Sequence, residues 1–408
     1  MICGLLGGKL GHSYSPQIHG QLGNYEYRLF EKKPEELADF LRHGDFSGLN
    51  VTIPYKKDVI PYCDTLSPVA ARLGAVNTIV KTPGGCLLGH NTDYFGFASM
   101  VARSGLCPKG KKVLVLGSGG ASNTACAVME ELGAQVIVIS RSGENHYGNL
   151  HLHKDAAIIV NTTPVGMFPN VEDSPLSLDG FPALEGVLDV IYNPARTKLL
   201  LEAESRGLKA ENGLWMLVAQ AKESSEWFTG KKLPDGIIAD IHRKLRRQME
   251  NIILIGMPGC GKTTIGRLLA EKLGKTFVDA DAEIVKAALC DIPTIFATEG
   301  EAGFRRRETA VLGEICKRSG LVISTGGGCV TREENYPLLH RNGVIIWVKR
   351  DIQSLPTHGR PLSESNRLTD MYAKRKPMYE AFSDGAIENN GSVQDAVANC
   401  LRILEDLV

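Results

Sequence analysis

The stretch Asn251-Ile252-Ile253-Leu254-Ile255-Gly256-Met257-Pro258-Gly259-Cys260-Gly261-Lys262-Thr263-Thr264 reads as a buried strand running straight into a phosphate cradle. The spacing G-x-x-x-x-G-K-T is complete from Gly256 to Thr263; the apolar run Ile252 to Ile255 precedes it, and Ile265, Leu268, Leu269 and Leu273 continue it as a helix. Glycines let the backbone fold tightly enough for the N–H groups of Gly259, Cys260 and Gly261 to face phosphate oxygens. Lys262 adds a point charge, and Thr263, followed by Thr264, offers a hydroxyl to Mg²⁺. A chance glycine-rich turn beside a lysine is the plain alternative, and strand, loop and helix in succession argue against it.

Working back from this cradle, a second nucleotide signature appears. Lys111 to Leu116 is an apolar strand, Gly117-Ser118-Gly119-Gly120-Ala121-Ser122 a glycine turn, Thr124 to Leu132 a helix of small residues, and Gln135 to Ile139 a second strand. A lone Gly-x-Gly-Gly says little, but inside a βαβ unit it predicts a dinucleotide fold. An NAD site would place Asp or Glu after the second strand; here Ser140-Arg141-Ser142 follows, with Arg141 24 residues beyond Gly117. A cation there meets a 2′-phosphate, so NADP(H) is favoured over NAD. Residues 142 to 154 carry glycines and asparagines without helical period, so no crossover helix is expected there.

The chain has 408 residues, enough for two or three domains. Hydrophobic residues make 43% and charged residues 23%, a soluble globular mix. Lysine plus arginine (46) balances aspartate plus glutamate (46), so no global field points to nucleic acid or an anionic membrane. The basic run His242 to Met249 reads as a solvated helix end. Ten cysteines without paired spacing read as reduced thiols, and no apolar run reaches membrane-spanning length. The expected setting is cytoplasmic.

The first hundred residues hold a series of polar groups at strand and loop ends. Ser13 and Ser15 precede a helix that Pro16 begins, with Ser15 reading as its N-cap. Thr52 and Lys56 follow a proline-broken strand beginning at Gly48. Asn77 lies in a predicted strand, Gly74 to Val80. Asp93 stands before a helix, Phe95 to Ser104. Singly these are loop polars, and Lys56 alone a solvated lysine; together they suit a small polyhydroxylated acid and include an acid/base pair.

Over roughly residues 1 to 243 these motifs resemble the shikimate dehydrogenase family. Ser13-Tyr-Ser15-Pro is similar to its substrate-carboxylate serines, Asn50-Val-Thr52-Ile-Pro-Tyr-Lys56 to its catalytic lysine loop, Gly74-Ala-Val-Asn77-Thr to its substrate asparagine, and Asn91-Thr-Asp93 to its catalytic aspartate loop. Tyr192 and Gln220 fall where the family touches substrate hydroxyls. The resemblance places NADP against Gly117, Ser118, Gly119, Gly120, Ala121, Ser140, Arg141, Ser142, Val190 and Gly213. It implies NADPH-dependent reduction of 3-dehydroshikimate to shikimate, with Lys56 and Asp93 passing the proton in an order left open. The short stretch 142 to 154 implies a more open cofactor site, and Trp215 stands where the family has a small residue.

Beyond the cradle, Asp279-Ala-Asp281 offers two carboxylates for Mg²⁺ and for a hydroxyl nucleophile. Phe304-Arg305-Arg306-Arg307 lies on a helix, where a basic trio is ordinarily a solvated face. Gly326-Gly327-Gly328 follows a strand, and Arg360 and the run Ala373 to Tyr379 flank a segment reading as a mobile lid. Residues 250 to 408 thereby resemble the shikimate kinase family. The resemblance gives Asp281, Arg305, Gly327 and Arg375 to shikimate, with Asp281 catalytic beside Lys262. ATP falls to Gly259, Cys260, Gly261, Lys262, Thr263, Thr264 and Arg360, and Mg²⁺ to Thr263 and Asp279. Arg360 and Arg375 stand 15 residues apart, a short lid.

The expected fold is α/β throughout: a substrate-binding α/β domain (1–96 and 214–243), an NADP-binding Rossmann domain (97–213), a linker (244–250) and a P-loop kinase α/β/α domain with a parallel sheet (251–408). The expected partners are the small molecules 3-dehydroshikimate, shikimate, ATP and NADPH, with neither nucleic acid nor membrane; oligomerisation is left open. A ligand-sensing regulator built from decayed modules would have lost Lys56, Asp93, Lys262 or Asp281, all present here. A dehydrogenase that also accepts quinate is the remaining alternative.

Overall fold

The structure, a computed structural model, describes residues 1–11, 13–355 and 365–407. It divides into two compact units: Met1–Asn193 with Thr197–Lys244, and Pro194–Arg196 with the chain from Leu245 onward.

The first unit holds two sheets. One is built from β1 (Ile2–Gly7), β2 (Glu26–Glu31), β3 (Gly48–Val51), β4 (Thr65–Leu66), β5 (Thr78–Lys81) and β6 (Leu87–His90), in the order β2-β1-β3-β5-β6-β4. β1 runs parallel to both neighbours, whereas β5 is antiparallel to β3 and β6. Leu6, Leu49, Val51, Val76 and Ile79 bury together with Tyr55 and Val59 beneath it. Register then sets one polar row across this apolar sheet, Asn50 opposite Thr78 and Thr78 opposite His90. Paired residues project to the same face, so these side chains can reach one another.

The other sheet comprises β7 (Lys112–Leu116), β8 (Gln135–Ile139), β9 (Ile158–Asn161), β10 (Gly186–Asp189) and β11 (Lys209–Glu211), all parallel, in the order β11-β10-β9-β7-β8. Its central strands are continuous apolar runs because helices cover a parallel sheet on both faces. Between β8 and β9 the described residues form only a 3₁₀ turn, Leu150–His153, as the aperiodic sequence there predicts. Tyr147 and Leu150 pack onto the core around Leu114, Leu116 and Ile139, and β8 is an edge strand.

The second unit has a parallel sheet of β12 (Asn251–Ile255), β13 (Thr276–Asp279), β14 (Leu321–Ser324), β15 (Gly343–Lys349) and β16 (Gly385–Glu388), in the order β13-β14-β12-β15-β16. β12 is wholly buried at the centre, and the helix Lys262–Leu273 leaves its end. Among the described residues no helix is long and apolar enough to cross a membrane. All ten cysteines are free.

Two local expectations are corrected. Ser15 is the first residue of the helix Ser15–Leu22 and not its cap; its amide donates to Ser13 Oγ at 3.2 Å. The strand predicted from Gly74 begins at Thr78, because Gly74 in a left-handed conformation (φ 59°) ends the helix Pro68–Leu73. Arg375 lies on the long helix Ser365–Phe382 and is buried.

Candidate active sites

In the first unit, Lys56 follows β3 on a turn and Asp93 opens the helix Asp93–Ser104. Lys56 Nζ donates to Asp93 Oδ2 at 2.6 Å, so this lysine is not a lone solvated cation. The Asp93 amide donates to Asn91 Oδ1 at 3.1 Å, which holds the carboxylate at the helix start. Asn77 is buried beside it, accepting from the Thr92 amide at 2.7 Å. Gln220, on the helix Leu214–Thr229, is half-buried, and its Oε1 stands 3.5 Å from Thr92 Oγ1. The Tyr192 ring meets Tyr14, between the two serines, edge-on at 6.1 Å, and burial pushes its phenol pKa up. Thr52 follows β3, its amide donating to the Leu6 carbonyl at 2.9 Å. The Trp215 indole donates to Ser99 Oγ at 2.8 Å and its ring lies under Arg103.

The glycine turn links β7 to the 12-residue helix Gly120–Glu131, whose N-terminus has no side-chain cap, and the first amides of a helix lack intrahelical partners. Gly117 has φ 110°, and a Cβ there would meet Thr162 Oγ1 at 2.9 Å, whereas Gly119 and Gly120 border open space. Ser118 and Ala121 flank them. Ser140, Arg141 and Ser142 leave the adjacent parallel strand β8, so both loops share one end of the sheet. Arg141 is exposed near the Tyr147 phenol. At Gly213 a Cβ would run into the Val190 carbonyl, a close approach that only glycine permits. These residues fit a dinucleotide with a 2′-phosphate: a bare backbone cradle, a helix N-terminus and an exposed cation.

In the second unit one cavity of about 580 Å³ is lined by Gly259, Gly261, Lys262, Thr263, Thr264, Asp279, Asp281, Arg305, Gly327, Arg350 and Arg375. Gly259 and Gly261 are left-handed (φ 81° and 103°), and Lys262 Nζ donates to the Gly256 and Met257 carbonyls at 2.9 and 3.0 Å. Thr263 Oγ1 donates to Asp279 Oδ2 at 3.0 Å. Among the described residues no cluster of three or more His, Cys, Asp or Glu side chains could hold a metal. One hydroxyl and one carboxylate fit Mg²⁺, which keeps waters and phosphate oxygens as its other ligands. Cys260 turns its side chain into the core. Arg360 lies outside the described residues.

Arg305 is buried, contrary to the solvated face expected of a basic trio, and its Nη1 donates to Glu308 Oε2 at 2.7 Å. Glu308 is wholly buried; burial raises its pKa, opposed by the Arg305 charge and assisted by Asp281. A Cβ on Gly326 would lie 2.5 Å from Glu308 Oε1 and 3.0 Å from Asp281 Oδ1, so both carboxylates converge on the triple-glycine turn. Arg375 Nη1 and the Tyr379 hydroxyl donate to the Gly327 carbonyl at 3.1 and 2.5 Å. Glu308 and Tyr379 escaped the sequence reading. The i, i+3 spacing of Arg305 and Glu308 on a helix was the available signal for the first; nothing in the pattern marked Tyr379.

Residues 258–405 match the family model described as shikimate kinase, and residues 5–79 that of the shikimate dehydrogenase substrate binding domain. A shikimate dehydrogenase (NADP(+)) of Clostridium perfringens is 35% identical over 265 residues, covering 60% of this chain and 97% of the relative. The crystal structure of shikimate dehydrogenase 1 from Peptoclostridium difficile is similar at 37% identity and a TM-score of 0.56, covering 60% of this chain and 97% of that one. Shikimate 5-dehydrogenase from Thermus thermophilus, in complex with NADP(H) and shikimate, is similar at 30% identity and a TM-score of 0.55, covering 60% and 99%.

Proposed function

The chain belongs to the shikimate dehydrogenase family over its N-terminal 60% and carries a shikimate kinase domain, an oxidoreductase joined to a phosphotransferase; from that premise we propose that it reduces 3-dehydroshikimate to shikimate with NADPH and then phosphorylates the shikimate 3-hydroxyl with ATP and Mg²⁺. The observation that carries the paired reading is the cavity of the second unit. It joins a phosphate cradle to a carboxylate, Asp281, and two buried guanidiniums, Arg305 and Arg375, which suits a hydroxylated carboxylic acid as acceptor.

In the first unit NADPH supplies the hydride when bound. Lys56 and Asp93 hold the proton that the carbonyl oxygen gains, each in hydrogen-bond reach of the other. Ser13 and Ser15 take the substrate carboxylate, while Thr52, Asn77, Tyr192 and Gln220 face its hydroxyls. Arg141, with Ser140 and Ser142, selects the 2′-phosphate. In the second unit MgATP supplies the phosphoryl group when bound. Lys262 and the loop amides neutralise phosphate charge, Thr263 and Asp279 anchor the ion, and Asp281 orients the attacking hydroxyl. Arg305, Gly327 and Arg375 clamp the acid, and Arg360 closes over the nucleotide by resemblance to the kinase family.

The test supplies the purified chain with 3-dehydroshikimate, NADPH and MgATP and follows NADPH oxidation and shikimate 3-phosphate together. Both are expected. Absence of NADPH oxidation refutes the first half, and shikimate accumulating unphosphorylated refutes the second. Oxidation of quinate by NADP⁺ at a rate matching that of shikimate would widen the substrate assignment.

A further inference from the structure

Behind the proposed substrate wall lies a buried chain of hydroxyls and amides that none of the assigned roles uses. We propose that Ser224 is a positioning residue for the dehydrogenase reaction: it anchors the Thr78 and Thr92 hydroxyls that pin the Asn77 side chain, so that Asn77 meets the substrate as a hydrogen-bond donor. This rests on the dehydrogenase reading above.

Ser224 lies on the helix Leu214–Thr229 and is fully buried against the sheet. Four partners converge on its Oγ: Asn50 Nδ2 at 2.7 Å, Thr92 Oγ1 at 2.9 Å, Thr78 Oγ1 at 3.0 Å and the Gln220 carbonyl at 3.0 Å. A hydroxyl has one proton and two lone pairs, so the directions can be assigned. The Gln220 carbonyl can only accept, so it takes the Ser224 proton. The Tyr27 hydroxyl donates to Asn50 Oδ1 at 2.8 Å, which turns Asn50 Nδ2 toward Ser224 and fills one lone pair. The other accepts from the Thr92 or the Thr78 hydroxyl, at 2.9 and 3.0 Å.

Asn77 Nδ2 donates to Thr92 Oγ1 at 3.1 Å, and Asn77 Oδ1 accepts at 2.7 Å from the Thr92 backbone amide, which can only donate and so sets which way the Asn77 amide faces. Whichever of Thr78 and Thr92 does not serve Ser224 gives its hydroxyl proton to Asn77 Oδ1, at 3.0 or 3.2 Å. Both lone pairs of Asn77 Oδ1 are then filled from within the protein. The second Nδ2 hydrogen is the one group on this amide without a partner among the described residues, so a ligand atom touching Asn77 must be an acceptor. Buried polar chains of this kind are set by every member, because an unmatched donor in a dry environment is costly. Elements far apart in sequence, β2, β3, β5 and the helices Asp93–Ser104 (through its cap Thr92) and Leu214–Thr229, supply the network, and the register Asn50 opposite Thr78 aligns it.

The experiment measures KM and kcat for 3-dehydroshikimate and KM for NADPH in the parent chain, in Ser224→Ala and in Ser224→Cys, with kinase turnover as a control. Loss of the hub removes the 2.7 Å acceptor of the Asn50 amide and frees the Thr78 and Thr92 hydroxyls, so the Asn77 side chain is held less firmly. Ser224→Ala should raise KM for 3-dehydroshikimate about tenfold or more at constant KM for NADPH. Ser224→Cys, which keeps a weak donor and acceptor at the same place, should recover part of the loss. A parent with activity and a Ser224→Ala variant with unchanged KM overturns this assignment alone. So does a parallel rise of both KM values, the mark of general loosening. Should Ser224→Ala not fold, Ser224→Cys decides by the same split, equal KM overturning the assignment. A parent chain that does not oxidise NADPH overturns the dehydrogenase reading and this one with it.

Discussion

In the first unit the Lys56–Asp93 pair keeps 31% and 16% of its side chains exposed, whereas in the second Arg305 and Glu308 keep 10% and 0%. The surroundings differ in the same sense. Lys56 and Asp93 stand at loop and helix ends beside hydroxyls and amides; Arg305 and Glu308 sit under a glycine turn, with Arg375 and Asp281 nearby. The contrast follows the chemistry proposed for each. A group that gives and regains a proton in every turnover must exchange it with solvent, so it stays near the surface. Phosphoryl transfer needs little proton traffic and much fixed charge, and fixed charge acts most strongly where water is excluded.

The largest test of this contrast separates the two lysines. Lys56→Ala should lower dehydrogenase kcat by about 10²–10⁴-fold and leave kinase turnover unchanged. Lys262→Ala should lower kinase kcat by about 10²–10³-fold and leave the dehydrogenase unchanged. Separate assays with each substrate check both, and a change that silenced both activities would show that the two sites do not act independently. Next in size is Glu308→Gln. Removing the carboxylate leaves the buried Arg305 with only the more exposed Glu301 at 3.4 Å, so unfolding of the second unit should become easier by about 1–3 kcal/mol, with a raised KM for shikimate. Urea unfolding and kinase assays decide it; an unchanged midpoint would mean that Arg305 is as solvated as Lys56.

A third test concerns a buried carboxylate held by neutral groups. Asp189, at the end of β10, accepts from Asn161 Nδ2, the Ile191 amide and Thr197 Oγ1 at 3.1, 3.0 and 2.7 Å. Burial nonetheless pushes its carboxyl up to about 6 from 3.8. The folded form therefore holds its proton more tightly than the unfolded chain. The stability contributed by this group is complete below pH about 4 and is lost as pH rises through about 6, a loss of about 3 kcal/mol. Asp189→Asn should flatten that slope in urea titrations followed through the NADPH-binding half; an unaltered slope would move the effect elsewhere. The smallest expected effect is at the exposed Arg141. Arg141→Ala should lower the preference for NADPH over NADH by about tenfold in kcat/KM, and an unchanged ratio would remove Arg141 from the cofactor site.

Much of the fold and site was legible because the signals are local. The strand, glycine turn and helix at Gly117 and at Gly256 each occupy one short stretch, and backbone geometry there follows directly from residue type. The absence of a helix between β8 and β9 was legible for the same reason, since Gly143, Gly148 and Asn149 lack an apolar face. What escaped was long-range. Ser15 has the residue type of a helix cap, yet the chain enters its helix one residue earlier. Arg305 belongs to a basic trio that reads as solvated, and only the packing of Glu308 and the glycine turn against it makes it buried. Tyr27, Asn50, Thr78 and Ser224 read as ordinary strand and helix residues until sheet register and helix packing bring their side chains within hydrogen-bond reach.

The amino-acid sequence alone determined two nucleotide cradles, the order of the α/β units and the residue types able to move a proton or hold a phosphate, because such motifs are contiguous and their geometry is set by neighbouring residues. Tertiary structure alone decided which polar groups meet. Lys56 finds Asp93 across 37 residues and Asn50 finds Ser224 across 174, and such pairings follow from strand register and helix packing, which depend on the whole buried surface.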